Sequence, residues 1–253
     1  MISRPLRSAA LALAAALFTT FTLLPPALAD IYVIESTAAG IRVGSRLAAD
    51  DTIAVPSGAF IRAVLPSGKT QTIRGPYNGS LADFAKGQTQ NEGVIAWLRN
   101  ILQTGGATEA TPGATRSIGR EMPKLRAGFS WAEVPATMDA TVCVDKSAKL
   151  QLVRAASSRA ESVTVVDMAS AERAEAQWAA GSELAPWPAA ITPRPDGKYD
   201  LFMQNRTRRQ ITLRVLERLP ADGDVLTELH KLGCKHQFEA WVRERLAAGK
   251  GKS

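Results

Sequence analysis

Residues Thr52–Tyr77, TIAVPSGAFIRAVLPSGKTQTIRGPY, carry the clearest local signal in the chain. Apolar and polar residues alternate here with the period of a β-strand, and two Pro-Ser-Gly stretches, Pro56–Gly58 and Pro66–Gly68, interrupt the alternation. Proline presets one backbone angle and glycine is free to take a positive one, so each stretch is a turn with a physical cause. The reading is three short antiparallel strands. In the middle one, Ile61, Ala63 and Leu65 fall on one face and Phe60, Arg62 and Val64 on the other.

Towards the N-terminus, Arg4 and Arg7 precede an uncharged run from Ser8 to Leu24, followed by Pro25-Pro26 and Ala27-Leu28-Ala29 before Asp30. A charged start, an apolar run and a small-x-small site make a secretory signal peptide, with cleavage expected after Ala29. The rival is an uncleaved membrane anchor, since the run is long enough to span a bilayer. No cysteine follows it to take a lipid, and after cleavage no stable membrane insertion is expected. The address expected is the periplasm. Two arginines and no acids leave with the signal, so the formal charge falls from +7 to +5. Spread along the chain, that charge is weak grounds for an anionic partner, and an exported protein does not meet nucleic acid.

From Asp30 to Tyr77 the text is strand-like, beginning IYVIE. Gly44 and Leu47, Asp50-Asp51 leading into Thr52-Ile53, Gly58-Ala59 before Ile61, and Gly68 opening Thr70–Arg74 together resemble the FecR-like domain, a small β-rich module of periplasmic and envelope proteins. Ser67-Gly68 stands where that module usually has Asp-Gly, and no cytoplasmic anti-sigma segment precedes the signal. The resemblance covers about 45 residues. It implies a sandwich-like interaction domain with an envelope partner, such as a membrane sensor.

Beyond Tyr77, residues 79–91 are polar and irregular. Val94, Ile95, Trp97, Leu98, Ile101 and Leu102 then make one stripe of a helix over 92–103, ended by Gly105-Gly106. Residues 104–128 are rich in Gly, Thr, Ala and Pro and read as a linker. Strand-like runs follow at 140–145, 150–154, 162–167, 174–179, 199–204 and 210–217, and after Pro220 the pattern turns helical. The fold class expected is mainly β, with two small sandwich-like domains at 30–103 and 129–248. C-terminal helices are expected to cover the second sheet.

The two cysteines, Cys143 and Cys234, read as a disulfide in an oxidising compartment. It closes a loop of about 90 residues, for which the chain-entropy model gives an upper estimate of roughly 4 to 5 kcal/mol. Cys234 lies between His230 and His236, the chain's only histidines. Their spacing suits neither a zinc site nor a nucleophile with its base, so the expectation is a disulfide flanked by solvent-facing histidines. Asp50-Asp51 read as the start of a turn. No phosphate loop or dinucleotide fingerprint occurs, and no cofactor is expected.

Two features remain as a candidate binding surface. Arg206, Arg208 and Arg209 form a compact positive hairpin tip, and Trp187, held between two prolines, could display an aromatic face together with Trp178 and Trp131. The conclusion from sequence is a non-enzymatic periplasmic protein acting by protein–protein contact in envelope sensing or signalling. The alternative is a binder of envelope polysaccharide, and a third reading is a metal-dependent or other hydrolase.

Overall fold

The computed structural model describes residues 30–104, 128–204 and 207–250. The expected signal at 1–29, most of the expected linker, Arg206 and the last three residues lie outside the described residues.

The protein is mainly β, built as two β-sandwich units with C-terminal helices. In the first unit, β1 (Ile31–Ser36), β2 (Arg46–Leu47), β4 (Phe60–Val64) and β5 (Thr70–Arg74) form an antiparallel sheet in the order β2-β1-β4-β5. Facing it, β3 (Thr52–Val55) pairs with β6 (Tyr77–Ser80). The three strands of Thr52–Tyr77 are therefore where the alternation puts them, but the first turns away from the other two. Gly75 allows this, because a Cβ there would lie 1.8 Å from the carbonyl oxygen of Pro56. Strand β6 escaped the reading because Tyr77–Ser80 is half polar and carries Gly79. A one-turn helix α1 (Ala82–Ala85) and α2 (Glu92–Gln103) follow, the latter capped by Asn91 accepting from the Val94 amide.

In the second unit, β7 (Glu133–Pro135), β8 (Ala140–Asp145), β9 (Gln151–Val153), β10 (Glu161–Asp167), β11 (Arg173–Trp178), β12 (Leu184–Pro186), β13 (Lys198–Met203) and β14 (Arg208–Leu216) form two sheets. One has five strands in the order β11-β10-β13-β14-β8, the other three in the order β12-β9-β7. Val142, Val144, Leu152, Val163, Val165, Trp178, Tyr199 and Leu213 fill the space between them. Helices α3 (Val225–Lys231) and α4 (Lys235–Lys250) follow.

These helices do more than the sequence reading expects of them. They do not cover the second unit alone: α4 lies between β8 of the second unit and β1 of the first, and α2 packs on both α3 and α4. One continuous apolar cluster joins Tyr32, Ile34, Val64, Val94 and Leu98 to Leu226, Leu229, Phe238 and Trp241. This explains IYVIE. Strand β1 is covered on both faces, Ile31 by its own sandwich and Tyr32 and Ile34 by the helices, and a strand covered on both faces reads as a continuous apolar run.

Polar contacts lock the same joint. Asp222, just before α3, pairs with Arg62 of β4 at 2.9 Å and Arg245 of α4 at 3.2 Å, while the Arg245 guanidinium lies 3.3 Å from the centre of the Trp241 ring. The Cys143–Cys234 disulfide is formed, Cα atoms 5.9 Å apart, and ties β8 to the start of α4.

Candidate functional site

Most of the sequence-derived surface candidates are structural. Trp187 is buried, its ring edge-on to Tyr199 at 5.2 Å and its indole N–H donating to the Ile191 carbonyl at 2.7 Å. It is corrected to a core residue: its ring is held inside the sandwich by the Ile191 carbonyl and the edge of Tyr199. Trp178 is fully buried and donates to Leu152, and Trp131 is half-buried against Phe129. Arg208 pairs with the buried Asp200 at 2.8 Å. Arg209 is half-buried on the opposite face, because neighbours on a strand point to opposite sides. The structure thus places these two arginines apart instead of joining them in one positive tip.

The histidines are not solvent-facing either. His230 packs edge-on to Trp97 at 4.6 Å and sits over Gly93, where a Cβ would lie 2.4 Å from the imidazole. That glycine lets α3 approach α2. His236 is half-buried on the wall of a cavity of about 20 Å³ with Ser130, Glu133 and Gln237. Burial pushes its pKa down, opposed by Glu239 and reinforced by Arg243. Among the described residues no group of three or more His, Cys, Asp or Glu side chains lies together as a metal site would require.

The backbone offers more than the side chains. In an antiparallel ladder, residue pairs alternate between those exchanging hydrogen bonds with each other and those whose peptide groups face away. The β4–β5 hairpin closes with the Leu65 amide donating to Lys69, so Val64 and Thr70 face away from each other. The Thr70 amide indeed donates outward, to Gly223 at 2.8 Å, and its hydroxyl donates to the Asp222 carbonyl at 3.0 Å. By the same alternation Thr72 and Arg74 present N–H and C=O groups to the open side of β5. No backbone group among the described residues pairs with them. Gln71 and Arg74 are exposed beside these rungs, and the Arg74 guanidinium lies 5.9 Å from the Phe60 ring. The edge is thus one-third occupied, its first rung filled by the loop before α3.

The outer face of the five-stranded sheet carries the other surface feature. Phe202 is 41% exposed, cross-strand from Thr164 and Arg208. At one end of this sheet Met168, Arg194, Asp196 and Lys198 line an open cleft of about 350 Å³. Arg194 is already committed there to Asp167. Burial alone would raise the pKa of Asp167, but the Ala169 and Ser170 amides and the Arg194 guanidinium together hold it below the usual carboxylate value.

Sequence reasoning missed both the open rungs of β5 and Phe202. The parity of a ladder depends on which residues pair, and the exposure of Phe202 depends on its sheet's packing on one side only. The one available signal was Thr70–Arg74 itself, a strand whose polar residues outnumber its apolar ones. Compared with known proteins, the chain matches no family model and no curated protein.

Proposed function

We propose that this is a non-enzymatic exported protein of the cell envelope that works by protein–protein contact, taking an extended segment of its partner along β5. The observation that carries the reading is the pair of open rungs at Thr72 and Arg74, next to a rung already filled by a loop. Adding a strand to a sheet edge recognises peptide backbone, which a protein has and a glycan lacks. The FecR-like resemblance of residues 30–77 and the signal-like N-terminus support an envelope setting, with a membrane sensor as a reasonable partner.

A photo-crosslinking residue at Gln71 tests this. In envelope fractions it is expected to give one protein adduct, and Thr72→Pro, which deletes an outward N–H while leaving the β4 ladder intact, is expected to abolish it. No adduct, or an adduct indifferent to that proline, sinks the reading.

Phe202 favours a second reading, the binding of envelope polysaccharide. An exposed ring on an open sheet face is a stacking surface for a sugar, and Arg208 and Thr164 flank it with hydrogen-bonding groups. Co-sedimentation with purified cell-wall material, lost in Phe202→Ala and unchanged in Thr72→Pro, would select this reading over the first.

A further inference from the structure

The second open edge lies on the five-stranded sheet. Strand β11 ends that sheet, and the Asp167 amide donating to Glu172 closes its turn with β10. Val166 and Arg173 are therefore a pair that faces away, and so are Thr164 with Glu175 and Ser162 with Gln177. The N–H and C=O groups of Arg173, Glu175 and Gln177 point out of the sheet, with no backbone partner among the described residues. All three side chains are exposed, and among the described residues neither Arg173 nor Glu175 takes part in an ion pair.

We propose that this edge is a seam at which the chain pairs antiparallel with a second copy of itself. Parity and charge together choose the occupant. An outward rung can bond only to another outward rung, so Arg173 meets an odd-numbered residue of its mate. Setting Arg173 opposite Arg173, or Glu175 opposite Glu175, places like charges face to face, which is destabilising. Of the registers that avoid this, the one that matches opposite charges sets Arg173 of each copy against Glu175 of the partner subunit, whereas the registers centred nearer Gln177 leave both charges without a mate. The charge-matched register creates two opposite-charge pairs and two hydrogen-bonded pairs, each exchanging both N–H···O bonds.

In that register the two-fold axis passes between the Ala174 residues. They form a non-hydrogen-bonded pair, the kind in which Cα atoms come within about 4.5 Å. Alanine suits this approach, and Ala174 is half-buried beside its own sheet's core. The result joins two five-stranded sheets into one continuous sheet with symmetric, self-complementary contacts. The same charges guard the edge against indiscriminate pairing, since other sequences and registers leave them unmatched. The seam does not depend on β5 and leaves that edge free.

The test is sedimentation of the purified chain, with its disulfide intact, from about 5 to about 200 micromolar, where a contact smaller than a standard interface associates. A reversible monomer–dimer equilibrium is expected. Glu175→Arg should weaken it about tenfold or more by opposing like charges, and adding Arg173→Glu should restore it to within about threefold, because the swapped pair is again complementary. Ala174→Cys should give a dimer on mild oxidation that reductant dissolves. Unchanged circular dichroism in each variant keeps folding out of the comparison. A chain that stays monomeric throughout overturns the proposal. So does a dimer indifferent to Glu175→Arg, a charge swap that fails to rescue, or Ala174→Cys that does not crosslink.

Discussion

The five-stranded sheet has two lateral edges treated in opposite ways. At β8 the edge is sealed by a side chain: the buried Gln237 amide of α4 accepts from the Cys143 N–H at 2.6 Å and donates to the Cys143 carbonyl at 2.6 Å and to Ser130 at 2.8 Å. A glutamine amide has the same donor and acceptor as a peptide group, so Gln237 stands in for a missing strand. The disulfide at the same residue keeps it there. At β11 nothing comparable covers the ladder among the described residues, and exposed charges of both signs stand along it. The contrast separates an edge closed for stability from one left available for contact.

Breaking the sealed edge should have the largest effect. Replacing Cys143 and Cys234 with serine is expected to lower unfolding free energy by roughly 2 to 5 kcal/mol in denaturant titrations, with loss of the native fold at the upper end. Next comes Gln237→Leu, which fills the space but leaves the buried N–H and C=O of Cys143 unpaired. At about 1–2 kcal/mol for each orphaned group, the lower part of the usual range, a loss of roughly 2 to 4 kcal/mol is expected. At the open edge Glu175→Arg should change the stability of the monomer hardly at all, by no more than about 0.5 kcal/mol in thermal unfolding, since it touches no buried partner. Equal losses at Gln237 and Glu175 would dissolve the distinction.

A smaller effect sharpens it by pH. His236 neighbours Gln237, and its folded pKa is pushed below the unfolded value by burial. The unfolded chain then binds the proton more readily, so stability present above about pH 6.5 is lost as the pH falls below it. Melting at pH 7.5 and at pH 5 should show a drop that His236→Gln flattens; a parallel drop in the variant would place the titrating group elsewhere.

How far the sequence revealed this depends on the scale of the contact. Alternation located β4 and β5, and an apolar stripe located α2, because both patterns are local. The doubly covered β1 was visible as IYVIE, yet what covers its second face was not, since α4 lies about two hundred residues away and a stripe names no partner. The disulfide was legible from there being only two cysteines. Gln237 was illegible: in KHQFEA it looks like any exposed polar helix residue, and only the position of β8 gives its amide work to do. Trp187 misled because its prolines say the backbone is extended without saying which way the ring turns.

Because α4 supplies the cover for the outer face of β1, a chain released N-terminus first cannot bury that face until α4 has emerged. Until then the Tyr32 and Ile34 side of that strand is a bare greasy strip. Truncation at the C-terminus should therefore injure the N-terminal half.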